Sequence, residues 1–193
     1  MDTVFLFLNQ PIIITLLSLA IGGYFLDVIS DRRAKKAIIR EKSIDLISEV
    51  GNNFNSVVSR IFGHIRTGNL KVKQDNKLKD RIGILFTNRL NVMVKSKAYL
   101  RSKDFAHKYE TLVFELNDIY EYMDKLSKDL GRENTISEIL IHIQTLSNAW
   151  PLENENIFTN NVEPEYKELA DWATMVSKRV RWLLSSYLTR VLK

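Results

Sequence analysis

Phe105-Ala106-His107-Lys108-Tyr109-Glu110-Thr111-Leu112-Val113-Phe114-Glu115-Leu116-Asn117-Asp118-Ile119-Tyr120-Glu121-Tyr122-Met123-Asp124-Lys125-Leu126 decides the fold class. Its apolar positions Phe105, Tyr109, Leu112, Leu116, Ile119, Met123 and Leu126 are separated by alternating steps of four and three. That spacing is one face of a helix and is close to a heptad, the pattern of bundles and coiled coils. Upstream, Ile47, Val50, Phe54, Val57, Ile61 and Ile65 repeat it. Downstream, so do Leu169, Ala173, Val176, Val180, Leu183, Tyr187 and Val191. No comparable stretch alternates with period two, so an all-α chain is expected.

Breakers are scarce. Seven glycines and three prolines in 193 residues are about half the usual share, which favours long helices and few tight turns. Gly68-Asn69 predicts the end of one helix. Leu78, Ile82, Leu85 and Leu90 mark another, and Ser102 suits the cap of a third. Gly131 stands where a helix end favours a left-handed residue, and Thr135-Ile136-Ser137-Glu138 has the form of a capping box. Pro151 opens a loop through Glu163, and Pro164 suits a first helical turn. The expected helices cover 31–66, 75–100, 103–130, 135–150 and 164–193. Five amphipathic helices with short links predict an up-and-down bundle over 31–193.

Ahead of the bundle, Pro11 to Leu26 carries no charge. Sixteen residues reach about 24 Å as a helix, short of the roughly 30 Å hydrocarbon core. Extending back to Val4 gives about 34 Å. Residues 1–30 are therefore expected to be a transmembrane anchor. A buried soluble helix is the competing reading. No basic residue precedes the run and bulky residues follow it, which speaks against a cleaved secretory signal. Arg32, Arg33, Lys35, Lys36, Arg40 and Lys42 follow closely, so the expected orientation leaves residues 31–193 in the cytoplasm. These six are also the expected contacts to anionic lipid, worth about 1 kcal/mol each near such a surface. Within the run, Thr15, Ser18 and Gly22 share a helical face, and small residues there let two spans approach closely.

Charge lies in blocks. Residues 66–108 hold twelve basic side chains against three acidic ones, whereas residues 109–171 hold fourteen acidic against four basic. Neighbouring helices of opposite sign would neutralise one another. The competing reading is a phosphate-binding or acidic-partner surface on 66–108, with Lys95, Lys97, Arg101 and Lys103 as its contacts. In the last helix, Trp172, Trp182 and Tyr187 among Lys178, Arg179, Arg181, Arg190 and Lys193 fit either a bundle helix with a solvated basic face or an interfacial membrane helix. Trp182 lies off the apolar stripe, free for a partner or lipid.

Chemistry is thinly represented. The chain has no cysteine, so thiol nucleophiles and zinc–thiolate sites are excluded. His64, His107 and His142 fall on three expected helices without a Glu-x-x-His pair, so no metal site is expected. His142, between Ile141 and Ile143, reads as a hydrogen-bonded core histidine. Gly63 and Gly68 have Walker-like separation, but Asn69 occupies the lysine position. No cofactor and no catalytic residue is proposed. The expected function is non-enzymatic: a single-pass membrane protein whose cytoplasmic bundle mediates protein–protein interaction or self-assembly. The alternatives are a membrane-tethered nucleic-acid-binding or sensing module, and an effector that perturbs the bilayer.

Overall fold

The computed structural model describes residues 11–128, 132–149 and 166–193, with side chains described over 29–128, 135–145 and 166–193. Every described element is helical: α1 (Pro11–Arg66), a 3₁₀ turn (Val72–Gln74), α2 (Asn76–Thr87), α3 (Arg89–Lys95) continuing as a π turn (Ser96–Leu100), α4 (Lys103–Ser127), α5 (Arg132–Ala149) and α6 (Lys167–Leu192). The chain divides into two compact units, residues 1–42 and 43–193, and the bundle is the second.

In the first unit the described side chains from Ile29 onward are exposed apart from the half-buried Ile39; Arg32, Arg33, Lys35, Lys36, Arg40 and Lys42 are all exposed. The side chains of the expected anchor before Ile29, including Thr15, Ser18 and Gly22, lie outside the described residues. Among the described residues no helix is long and apolar enough to cross a membrane.

The bundle is organised by α4. Phe105, Tyr109, Leu112, Leu116, Ile119 and Met123 are all buried, and Leu126 packs partly buried against them. Asp104 near the start of α4 meets Tyr187 near the end of α6, and Glu115 meets Trp172, so these helices run antiparallel. The α5 helix runs antiparallel to α4 as well, with Glu138 facing Lys125 and His142 facing Glu115. From α1, the Phe54 ring meets Tyr109 edge to face at 5.2 Å. At Gly51, a Cβ would stand 3.1 Å from Cδ1 of Leu184 on α6, so glycine permits that close approach. The buried stripe of α6 shows it to be a bundle helix. Its Arg179 and Trp172, expected on exposed or interfacial faces, are buried instead.

Local capping follows the sequence at two of the expected points. Gly68 closes α1 in the left-handed region at φ 64°. Ser102 Oγ accepts the Phe105 N–H at 3.2 Å and caps α4. Asp75 was not anticipated. One of its oxygens accepts the Leu78 N–H at the start of α2, and the other accepts from Arg60 Nη1 at 2.9 Å and faces His64 Nε2 at 3.0 Å. Burial opposes the Asp75 charge, yet the hydrogen bonds from His64 and Leu78 and the Arg60 charge hold its pKa below the ordinary 3.8. A depressed carboxylate stabilises the fold above its unfolded pKa, and that stability is lost as pH falls through the lower folded value. Losing the cap and the pairs together, Asp75→Ala should cost about 2 kcal/mol at neutral pH in urea unfolding. A midpoint within error of wild type would remove Asp75 from this role.

Three expectations need correction. The helix over 75–100 is broken: Asn88 separates α2 from α3, and α3 then widens into the π turn. Arg101, at φ 50°, closes that turn in the left-handed region without a glycine. Thr135 does not open α5. The helix begins at Arg132, so Thr135 is interior and buried. Leu90, grouped with Leu78, Ile82 and Leu85, is exposed: it stands five residues after Leu85, off the buried stripe that continues through Asn88 to Val92. Gly131, the 151–163 loop and Pro164 lie outside the described residues.

Candidate functional site

The face of α3 turned away from the buried Val92 forms the site. On α3, Leu90, Met93 and Val94 are exposed by 71%, 51% and 63%, and Lys97 follows one turn later. These are positions i, i+3, i+4 and i+7 of one helical face, so a stripe with the spacing of a buried one is left uncovered. Between this stripe and the first half of α4 opens a groove of about 1210 Å³. Its lining includes Ala98 and Ala106, small residues that would let another backbone come close, and the polarizable Met93. Exposed apolar groups in a continuous patch mark interaction surfaces more often than scattered ones do.

The two ends differ in charge. At one end Arg89 is held rigidly: its guanidinium lies 5.0 Å from the Phe86 ring and 5.2 Å from the Phe114 ring, Nε donates to the Phe86 carbonyl, and Nη1 donates to Glu110 at 3.1 Å. At the other end Lys97 and Lys103 are exposed and make no ion pair among the described residues. The groove therefore presents an apolar floor with uncompensated positive charge at one end.

Ion pairing accounts for only part of the basic segment, and among the described residues only Lys73 and Arg89 pair with the acidic block. Lys73 pairs with Glu121, Arg89 with Glu110, Lys95 with Glu49 and Lys108 with Asp104. Arg66, Lys71, Lys77, Lys79, Arg81, Lys97, Arg101 and Lys103 pair with no acidic group among the described residues. Of the four contacts anticipated from sequence, Lys97 and Lys103 share the groove, Arg101 is exposed in the left-handed turn between them, and Lys95 is drawn onto Glu49 at 2.9 Å. Trp182 is partly exposed, with the Lys108 ammonium 4.8 Å from its ring centre.

A second polar cluster lies inside the bundle, where His142 was expected to be a hydrogen-bonded core histidine and is instead half-buried and stacked on an aromatic ring. Trp172 Nε1 donates to Glu115 Oε2 at 2.9 Å, and the His142 ring stacks on Trp172 with centroids 4.7 Å apart. His142 Nδ1 stands 3.8 Å from Glu115, too far for a hydrogen bond, and Tyr122 meets both rings edge to face. Burial raises the Glu115 pKa, against the Trp172 hydrogen bond and the His142 and Arg179 charges that lower it. Burial likewise pulls the Arg179 guanidinium down, opposed by Glu115. The cluster ties α4, α5 and α6 together. No group of three His, Cys, Asp or Glu among the described residues is arranged to hold a metal ion.

The raised Glu115 pKa has a stability consequence. An acid whose folded pKa exceeds its unfolded 4.5 stabilises the fold fully below that value, and loses the stabilisation as pH rises through the raised one. At neutral pH the ionised form is a net cost. Glu115→Gln keeps an acceptor for Trp172, so its thermal midpoint at neutral pH should equal or exceed wild type. The change in midpoint between pH 4.5 and neutrality should also flatten. A neutral-pH loss of several degrees would mean that the Arg179 attraction outweighs burial.

No protein-family model, no curated protein and no solved structure matches the chain.

Proposed function

We propose that the chain is a non-enzymatic, membrane-anchored helical bundle, and that the groove between α3 and α4 receives a helix of a protein partner. The observation that carries this reading is the uncovered stripe Leu90, Met93, Val94 and Lys97. A helix laid into such a groove presents apolar anchors at i, i+3, i+4 and i+7. The lone lysines at the rim call for carboxylates on the occupant, because opposite charge at a rim speeds encounter and fixes register. The concave floor suits a helix better than a flat bilayer surface. The anchor reading rests on the uncharged Pro11–Leu26 run and the six exposed basic residues behind it, which would hold the bundle on the cytoplasmic side.

Photo-crosslinking from position 94 of the full chain in native membranes tests the groove. The expected adduct is a peptide with helical apolar spacing and flanking acids, and its yield should fall at least fivefold in Lys97→Glu/Lys103→Glu. Adducts to lipid alone, or a yield indifferent to charge reversal, would refute it.

The eight cations without an acidic partner among the described residues support a second reading, a surface for phosphate backbones. It predicts retention on heparin that weakens steeply with salt and is lost in Lys97→Glu/Arg101→Glu/Lys103→Glu. Absence of retention at low salt would dismiss it.

A further inference from the structure

The bundle has a second uncovered stripe. On α5, Ile139 is buried, but Leu140 and Ile141 are 51% and 62% exposed, and Ser137 and Gln144 are exposed on the same face. These positions are again i, i+3, i+4 and i+7. A helix that is apolar on opposite faces is one that is covered on both. Here α4 and α6 cover one face, and Leu140 and Ile141 stand exposed on the other.

We infer that the helix received by the groove is α5 of a second copy of this chain, an inference that rests on the groove reading above. The two stripes match in length and spacing. They also match in charge: Glu138, the only carboxylate among the described side chains of α5, is exposed at the Ser137 end, where its half-exposed pair with Lys125 at 3.6 Å leaves it open to a second cation. Its hydrogen bond from Tyr122, opposed by desolvation, and the Lys125 charge hold its pKa below the ordinary carboxylate value, so it is ionised at neutral pH. An antiparallel arrangement of α5 along α3 brings Glu138 to the Lys97 and Lys103 end, with Leu140 and Ile141 over Met93 and Val94. The small Ala98 and Ala106 leave room for the incoming backbone. Groove and ridge are different surfaces, so the contact is head to tail. Each copy then offers one free groove and one free ridge, and the contact propagates into a ring or an open row.

The absence of cysteine makes the test clean. Full-length Met93→Cys and Ile141→Cys chains, carrying different tags, are co-expressed in membranes and treated with a short bis-maleimide. The head-to-tail contact predicts dimers between unlike chains at least tenfold above either variant alone. A chain carrying both cysteines should give a ladder of higher oligomers. Adding Lys97→Glu should lower the unlike-chain yield, and adding Glu138→Lys to the partner chain should restore it. Dominant like-with-like products, or no dimer in any combination, would overturn the inference. The groove reading fails separately. If position 94 still captures an acidic helix of another protein while the cysteine pairs give no dimer, only the second copy is wrong.

Discussion

Replacing Trp172 with alanine should destabilise the bundle by about 3–5 kcal/mol, the range for deleting a fully buried large aromatic side chain. The indole is completely buried where α4, α5 and α6 meet, stacked on His142 and edge-on to Tyr122. Its N–H is the hydrogen-bond donor shown for Glu115 Oε2, so truncation also leaves a desolvated carboxylate oxygen without it. For a domain of this size the thermal midpoint should drop by about 10 °C or more, followed by circular dichroism. Trp172→Phe keeps most of the ring and loses only the donor, for a cost of about 1–3 kcal/mol. Trp182 is the control: it is partly exposed beneath Lys108, and Trp182→Ala should shift the midpoint only slightly. Equal losses at the two tryptophans would contradict the packing described.

The second large effect concerns the anchor. An arginine at the centre of a membrane span costs about 2.5–3.5 kcal/mol on the insertion scale. Ile14→Arg/Leu17→Arg should therefore disfavour the inserted state by about 5–7 kcal/mol, around four orders of magnitude in partition. Wild-type chain is expected to stay with membranes through an alkaline carbonate wash, and the double variant to be released. Ile38→Arg, at an exposed position within the basic cluster, should behave as wild type. Release of wild type by the same wash would remove the anchor from the account.

The helical class and the principal buried stripes were legible because burial at 3.6-residue spacing is a local property of the chain. Phe54, Val57, Ile61, Phe105, Leu112, Leu116, Val176 and Leu183 all sit in the core where the periodicity put them. Gly68 and Ser102 could be placed because each acts on backbone groups within a few residues. The features that make the candidate site were less visible. Nothing in Ser96-Lys97-Ala98-Tyr99-Leu100-Arg101 advertises a π turn closed by a left-handed arginine, since the usual markers, glycine and proline, are absent. Leu90 stands five residues after Leu85, off the face that carries Leu78, Ile82, Leu85 and Val92, and that offset puts it on the surface. Asp75, Glu115 and Arg179 depend on partners up to 64 positions away in sequence, as with Glu115 and Arg179, so no local pattern distinguishes them from solvated charges. Lys97 and Lys103 were selected from a crowd of cations, and the structure separates them from Lys95 by showing which cation already has a carboxylate.

Cysteine reactivity at Met93 tests the docking groove most directly. In native membranes, Met93→Cys should react with a soluble maleimide at least tenfold more slowly than Lys77→Cys, an exposed position on α2 outside the groove lining. Solubilising and diluting the membranes in mild detergent should abolish the difference. Equal rates at the two positions in intact membranes would show the α3 stripe bare where the protein works, and would contradict the account.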